Sequence, residues 1–174
     1  MMNAIKYCTL LFSILLLSFT TNAQTDWVTK QIDEKISIKF PSDPEKTTNN
    51  NADVFILKGA DSVAYSGGVI DLKNFGKLDS TTLASMKDNQ KFADQLVGGI
   101  ASQKKNYKFG AVTIGKWEML TVYTVNAYDD ANKNKLFVKM IIIGSKLYSF
   151  TCRIPDKLDI KKSELFLNSI ELSK

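Results

Sequence analysis

The sequence predicts a small α+β domain in which antiparallel strands pack with helices. Two strand-like segments, residues 136–143 and 147–154, are joined by a tight turn, and a helical segment at about 160–168 follows them. The second segment alternates apolar and polar residues, which is typical of a strand with one buried face. The first segment has apolar residues on both faces, broken only by Lys139, and this indicates a central strand with cover on both sides.

The turn between these two strands has two alternative lengths. A two-residue turn that begins with Gly144 pairs Lys139 with Phe150, whereas a three-residue turn that ends at Lys146 places Lys139 beside Thr151. Thr151 lies on the more polar face of its strand. The polar pattern therefore favours the three-residue turn.

The preceding part of the chain predicts further strands and a polar loop. The expected strands are residues 27–32, 36–40, 54–59, 63–72, 111–117 and 118–126. Residues 46–53, KTTNNNAD, are polar and are expected to form a loop. The strand at 118–126 has an alternation that suggests cover on both of its faces. Gly67 and Gly68 indicate a bulge or a close backbone approach within a strand.

A helical region is predicted after the second hairpin. Asp79 or Ser80 can cap its first turn, and apolar residues recur at helical spacing after them. The apolar stripe lapses around Asp88 and Asn89, where a second helix can begin after a break. The helix near the C-terminus has Asp159 as its expected cap.

The order of elements resembles the PsbP-like fold. The resemblance rests on the opening ISIKFPSDPEK, the central helical region, the hairpin GSKLYSF and the ending SELFLNSIEL, and it covers nearly all of residues 27–172. This fold is named for an extrinsic lumenal protein of photosystem II, and small exported bacterial proteins of unknown function share it. The resemblance implies an antiparallel β-sheet flanked by helices on both faces, an α/β/α sandwich. It also implies a binding or assembly accessory without a catalytic site.

The N-terminal residues have the pattern of a cleaved signal peptide, expected to span residues 1–23. Lys6 supplies the positive start, residues 10–19 the apolar run, and small residues up to Ala23 a cleavage site. The mature chain is therefore expected to be a single globular domain, residues 24–174, located in the periplasm or outside the cell. No later segment approaches the roughly 20 apolar residues of a transmembrane helix, so no membrane span is expected.

Composition narrows the classes of partner. Without Lys6, the 23 basic residues of the chain become 22 against 18 acidic residues, a net charge of +4. Arg153 is the only arginine, whereas guanine recognition and tight phosphate binding rely on arginine, so nucleic acid is not an expected partner. Cys152 is the only cysteine after residue 23, and its place in a strand predicts a small buried hydrophobic residue rather than a reactive thiol.

The sequence offers no catalytic or metal-binding motif. It contains no histidine, which excludes Ser-His-Asp and Cys-His arrangements and every metal site that depends on histidine. Asp130, Asn132 and Asn134 resemble the start of a calcium-binding loop, but Lys135 stands where such a loop has glycine. A polar hairpin loop is the preferred interpretation. We therefore expect no enzyme activity, no metal and no cofactor.

Two classes of function remain. The preferred one is a non-catalytic exported protein that binds another envelope protein or an anionic surface. Lys104, Lys105 and Lys108 form the densest basic cluster and are the expected partner-binding residues, for a weak contact steered by charge. The alternative is a carrier of a small apolar ligand or lipid between sheet and helix. Trp27 or Trp117 could then stack on the ligand, although large aromatic residues beside strands more often pack in the core.

Overall fold

The computed structural model describes residues 27–49 and 52–173, which form an α+β arrangement of strands and helices. The strands are β1 (Val28–Gln31), β2 (Ile36–Phe40), β3 (Glu45–Asn49), β4 (Ala52–Lys58), β5 (Ala64–Asp71), β6 (Tyr107–Phe109), β7 (Thr113–Trp117), β8 (Leu120–Asp129), β9 (Asn134–Ile143), β10 (Lys146–Pro155) and β11 (Glu171–Leu172). The helices are α1 (Leu72–Gly76), α2 (Ser80–Met86), α3 (Gln90–Gln103) and α4 (Lys161–Asn168). The predicted signal peptide lies outside the described residues.

The strands form two sheets. The large sheet has the order β3-β4-β5-β10-β9-β8-β6, and β7 pairs with the first half of β8 on the same side as β6. The small sheet has the order β1-β2-β11. Every pairing between these strands is antiparallel, which confirms the predicted antiparallel character of the domain.

One side of the large sheet packs against the small sheet and α4. We call this packed region core 1. Tyr148, Phe150, Cys152 and Ile154 of β10 have no exposed surface there, and Phe166 of α4 is equally buried. The intervening residues of β10 point to the other side of the sheet. The alternation predicted for this strand is therefore confirmed.

The opposite side of the large sheet packs against α1, α2 and α3, in a region that we call core 2. Leu83 of α2 and Phe92 of α3 are buried there against Tyr123 and Val125 of β8. The central strand β9 contributes to both cores. Its residues in core 2 are Leu136, Val138, Met140 and Ile142, and Ile141 lies in core 1. The prediction of a central strand with cover on both sides is thus confirmed.

The helical region is divided as the sequence predicts. Asp79 caps α2 and Asn89 caps α3, and each side chain accepts a backbone N–H at 2.8 Å. The break between the two helices is fixed to the sheet, because the hydroxyl of Tyr123 donates to the carbonyl of Lys87 at 2.6 Å. The short helix α1, which begins after Asp71, was not predicted.

The turn between β9 and β10 is shorter than predicted. Gly144, at φ 61°, begins a two-residue turn, so Lys139 pairs with Phe150 rather than with Thr151. The prediction of a three-residue turn is wrong. Lys139 lies on the core 1 face, and its ammonium group donates to the backbone carbonyl of Leu167 at 3.0 Å. A long aliphatic stem lets a lysine occupy an apolar face while its charged end reaches a polar partner.

The prediction of a loop at residues 46–53 is also wrong. β3 and β4 pair with each other across this segment, as an edge hairpin. The hydroxyl of Thr48 donates to Asp53 at 2.9 Å, and Lys46 pairs with the same carboxylate at 2.7 Å. An edge strand is stabilised by such cross-strand pairs and by ladder hydrogen bonds, so it does not require apolar residues.

Gly67 and Gly68 mark a close approach within the sheet, as predicted. A Cβ atom at Gly67 would lie 3.0 Å from the ring of Phe150, and one at Gly68 would lie 2.8 Å from the carbonyl oxygen of Asp53. The first distance would require the ring of Phe150 to shift, and the second, to a backbone atom, is too short for a side chain. Glycine at these positions lets core 1 and the neighbouring strand β4 pack closely.

The two covering layers are offset along the large sheet. Within the large sheet, the buried residues of core 1 lie mainly on β4, β5 and β10, with Val122 of β8 and Ile141 of β9, whereas those of core 2 lie mainly on β8 and β9, with Leu147 of β10. Two parts of the sheet therefore have little cover within the described residues. On the core 1 side, Thr124 and Asn126 of β8 are exposed, and on the core 2 side Ile56 of β4 is 45% exposed.

Candidate binding surface

The second half of β8 is open on the core 1 side. Val125 and Ala127 point towards core 2 and are buried, whereas Thr124 and Asn126 point the other way and are exposed. The expectation that this strand is covered on both faces is therefore wrong for its second half. The small sheet and α4 pack over β10 and β5 instead, which leaves a polar strip of the large sheet at the surface.

A groove of about 300 Å³ lies on this strip, and we call it the open groove. Its lining side chains are Lys108 of β6, Asn126 and Tyr128 of β8, and Lys135 and Phe137 of β9. Lys108, Tyr128 and Lys135 are cross-strand neighbours in one row, and Asn126 pairs with Phe137 in the next. Residues that are directly paired share a face of the sheet, so the register itself builds the groove. Two half-buried aromatic rings thus lie beside two lysines.

Each lysine of the open groove is paired with an aspartate. Lys108 pairs with Asp130, and Lys135 contacts Asp156 at 2.9 Å. The hydrogen bond to Asp130 raises the pKa of Lys108, and the hydrogen bond from Lys135 lowers the pKa of Asp156. Each shift favours the charged form of its group, Lys108 or Asp156. Ion pairs exposed in this way contribute little to stability and are screened by salt, so a ligand can exchange with either partner.

The structure separates the three lysines that the sequence analysis groups together. Lys104 ends α3 on the core 2 side, where its carbonyl accepts the backbone N–H of Tyr107 at 2.9 Å. Lys105 follows in the turn, and Lys108 lies on the core 1 side in the open groove. All three are exposed. Of the three, Lys108 is the one that lines the open groove.

Sequence analysis does not identify the other four lining residues of the open groove. Asn126 and Phe137 lie in segments that are predicted to be covered on both faces, and Tyr128 and Lys135 lie between the predicted strands at 118–126 and 136–143, in a segment expected to be a loop. One signal was present, because Thr124, Asn126 and Tyr128 form a polar series on one face of β8. A polar series of this kind on a strand predicts an uncovered face.

In the loop beside the open groove, the carboxylate of Asp129 accepts hydrogen bonds from residues of the same loop. Asp129 is 2% exposed and accepts the backbone N–H groups of Ala131 and Asn132, both at 3.0 Å, and the side-chain amide of Asn132 at 2.8 Å. These hydrogen bonds lower the pKa of Asp129, and the one from the Asn132 side chain has the largest effect. The segment is thus a polar hairpin loop. Within residues 27–49 and 52–173, no three His, Cys, Asp or Glu side chains are grouped to hold a metal ion.

Another aspartate–lysine contact, away from the open groove, holds the two sheets together. Asp33, in the turn between β1 and β2, contacts Lys146 at 2.8 Å and accepts the hydroxyl of Tyr148 at 2.7 Å. Burial acts to raise the pKa of Asp33, but the hydrogen bonds from Lys146 and Tyr148 outweigh burial and lower it. Burial raises the pKa of Tyr148, and the hydrogen bond to Asp33 raises it further. This cluster ties the small sheet to β10 and is structural.

The tryptophans and the cysteine pack against core 1. The ring of Trp27 meets that of Tyr65 edge to face, with centroids 6.0 Å apart, and Trp117 is half-buried against the same core. Cys152 is fully buried, and burial raises the pKa of its thiol to about 12. The interpretation of these residues as packing residues is confirmed.

The comparisons with known proteins bear on the fold. The sequence matches no family model and no curated protein. The structure is similar to the cyanobacterial PsbP protein, CyanoP, of Synechocystis, with a TM-score of 0.57 and 12% identity, over 89% of this chain and 97% of that protein. This similarity confirms that the chain has a PsbP-like fold.

Two further solved structures are similar at a lower level. One is a protein from Bacteroides thetaiotaomicron, with a TM-score of 0.44 and 10% identity, over 83% of this chain and 50% of that one. The other is a protein of unknown function from Pseudomonas aeruginosa, with a TM-score of 0.42 and 11% identity, over 79% and 88%. Of the helices in the described residues, none is both long and apolar enough to span a bilayer.

Proposed function

We propose that this chain is an exported, non-catalytic accessory protein whose open groove binds an acidic segment of another envelope protein. One observation carries the proposal. Tyr128 and Phe137 are half-buried aromatic residues at the surface, and Lys108 and Lys135 lie beside them on a strip that the sandwich leaves uncovered. Protein interfaces commonly combine aromatic anchors with a polar, charged rim.

The charges suit a weak contact that is steered electrostatically. The chain after residue 23 carries a net charge of +4, which attracts an acidic partner over distance. At contact, acidic side chains of the partner compete with Asp130 and Asp156 for the two lysines, while its apolar side chains cover the rings. Lysine acts as a hydrated point charge, so the association is expected to weaken as salt is raised.

The packed interior favours a binding protein over a carrier. A carrier would hold its ligand between the sheet and α4, but that space is occupied by side chains. The ring centroid of Phe166 lies 5.2 Å from that of Phe40 and 5.2 Å from that of Tyr65. These aromatic contacts supply packing where a ligand would have to lie.

We also propose that the layers form an α/β/α sandwich in which helices flank both faces of the large sheet. Phe166 of α4 packs in core 1 on one face, and Phe92 of α3 packs in core 2 on the other. The likeness to CyanoP supports this arrangement. Export is proposed from the pattern of residues 1–23, and the accessory role from the resemblance to PsbP-like proteins.

Affinity capture with matched variants tests the proposed function. The mature protein is immobilised and exposed to an envelope extract, in parallel with the variant Lys108→Glu/Tyr128→Ala and the control Lys91→Glu, which changes an exposed lysine of α3. We expect an acidic protein to be retained by the wild type and by the control and to be lost from the groove variant. Equal retention by all three proteins would contradict the assignment of the open groove.

A further inference from the structure

Arg153 is the only arginine of the chain, and within residues 27–49 and 52–173 its Nε is a buried donor without a hydrogen-bond partner. All ten ion pairs within the described residues are made by lysines. Nε of Arg153 is enclosed without any hydrogen-bond acceptor, while the side chain as a whole is half-buried. A buried donor that is left unpaired costs free energy, and more so when it is charged. The fold therefore leaves one donor of this cation unpaired.

The strand register places Arg153 at the boundary of the helical cover. It lies on the core 2 side of β10, paired with Leu136 of β9 and with Ala64 of β5. Leu136 is 2% exposed beneath the helices, whereas Ala64 is half-buried and the next residue in this row, Lys58 of β4, is exposed. The guanidinium group therefore lies where a packed core gives way to open sheet.

Neutral hydroxyl groups occupy the neighbouring positions on the same face. Thr151 and Ser66 are paired in the adjacent row, with their hydroxyl oxygens 2.7 Å apart, and both are half-buried. Beyond Ser66 in this row lies Ile56, which is 45% exposed. The surface around Arg153 thus offers hydroxyl groups and an apolar contact beside the cation.

Two titratable groups on the same side of the sheet, Tyr107 and Asp129, form no ion pair with Arg153. Burial raises the pKa of Tyr107 and the positive charge of Arg153 acts to lower it, so the two groups are within electrostatic range. Tyrosine remains uncharged at neutral pH and adds a hydroxyl group, but no negative charge. The carboxylate of Asp129, which also affects Tyr107, already accepts three hydrogen bonds from its own loop.

We propose that Arg153 anchors a second binding site, on the side of the large sheet opposite the open groove, for a single carboxylate presented by a peptide ligand. Guanidinium and carboxylate groups match in a two-pronged geometry, and the partly enclosed position strengthens such a pair. A single cation among neutral hydroxyls matches a singly charged carboxylate better than a doubly charged phosphate, which is usually held by several cationic or amide donors. The exposed Ile56 suits an apolar residue beside that carboxylate.

The unique arginine makes the test direct, because its Nε–Hε group gives one assignable signal in a nitrogen–proton NMR spectrum of the mature protein. The probes are acetate, a tripeptide Ala-Leu-Leu with a free C-terminal carboxylate, the same tripeptide with an amidated C-terminus, inorganic phosphate, and chloride at matched ionic strength. We expect acetate and the free peptide to shift the signal in a saturable way, with the peptide binding several-fold more tightly. The amidated peptide and chloride should leave the signal in place.

Two results would overturn this site. The absence of a saturable shift with the free peptide would show that Arg153 only covers apolar surface, and tighter binding of phosphate than of peptide would reject the carboxylate assignment. Arg153→Lys keeps the charge but loses the planar fork, so peptide binding followed at the amide of Thr151 should weaken about tenfold. Lys108→Glu in the open groove should leave peptide binding unchanged, which separates this site from the proposed partner surface.

Discussion

The contact of Asp33 with Lys146 and that of Asp130 with Lys108 join the same chemical groups in opposite surroundings. Side-chain exposure is 11% for Asp33 and 29% for Lys146, against 49% for Asp130 and 81% for Lys108. The first pair also accepts the hydroxyl of buried Tyr148, whereas the second has solvent around it. The first contact is part of the fold, and the second remains available to a ligand.

This comparison shows how the offset layers assign roles to similar residues. Where the small sheet covers β10, polar groups must find internal partners, because unpaired buried groups are costly. Where the cover ends over β8, lysine and aromatic side chains remain at the surface. Burial, rather than residue type, therefore decides which charged cluster stabilises the domain and which one can bind a partner.

The largest loss of stability is expected from removing a buried side chain of core 1. Phe166→Ala removes a fully buried ring that contacts Phe40 and Tyr65, so the free energy of unfolding should fall by about 3–5 kcal/mol. Chemical denaturation measures the change. Leu165→Ala is the matched control on the same helix, because Leu165 is 61% exposed and its loss should cost less than about 0.5 kcal/mol. Equal losses in the two variants would show that α4 does not seal core 1.

The next largest loss of stability is expected when Asp33 is replaced, and replacement of Asp130 should have no such effect. Asp33→Ala leaves the hydroxyl of Tyr148 without its acceptor and leaves Lys146 with Glu34 as its remaining carboxylate partner, so stability should fall by about 1–3 kcal/mol. Asp130→Ala should leave the denaturation midpoint unchanged, because its ion pair is exposed. If the two variants were equally stable, the cluster at Asp33 would not lock the sheets together.

Substitution of the buried cysteine should have a similar or smaller effect. Cys152→Ser places a hydroxyl in an apolar site and should cost about 1–3 kcal/mol, measured by chemical denaturation. The thiol of the native protein should resist a bulky thiol reagent, since it is enclosed and its pKa is raised to about 12. Rapid labelling of the folded protein would show that β10 opens locally.

The pH dependence of stability should report on Asp33. Its pKa is lower in the folded state than in the unfolded chain, where it is about 3.9, so its stabilising contribution is present above that value. The contribution is lost as the pH falls through the folded pKa. The stability difference between the wild type and Asp33→Asn should therefore shrink below about pH 4. A difference that stays constant down to pH 2 would show that Asp33 does not titrate with folding.

The sequence predicts much of this fold because long segments have one dominant pattern. The alternation of β10, the cap at Asp79, the start of a second helix after Asn89 and the close approach at Gly67 all depend on local rules and are confirmed. The register at Lys139 was predicted wrongly because the lysine stem can cross an apolar face, which residue polarity does not reveal.

The candidate site was less accessible to prediction. Lys108 was singled out for its basic neighbours, yet the structure places Lys104 on the other side of the sheet. The polar series on β8 indicates which face is open, but the extent of the open groove depends on where the small sheet ends, and that limit is set by tertiary packing. The edge strand β3 was missed for a related reason, since its polar residues are stabilised by partners across the hairpin.

The smallest effect on stability is expected at the predicted lysines. Replacement of Lys104, Lys105 and Lys108 with glutamate should leave the thermal midpoint nearly unchanged, because all three side chains are exposed. Association with an acidic partner should slow several-fold at low salt, and Lys108→Glu alone should account for most of that change. Surface plasmon resonance with the captured partner measures it. An equal contribution from Lys104 would move the binding surface to the end of α3.

The central claim is that the open groove is the partner-binding surface. A photo-crosslinking side chain placed at Asn126, inside the groove, tests it most directly, with the same side chain at Gln95 on the exposed side of α3 as the control. In intact cells, position 126 should give one crosslinked product with an acidic protein, and Lys108→Glu should abolish that product. The absence of a product at position 126, or the same yield of it from position 95, would contradict the claim.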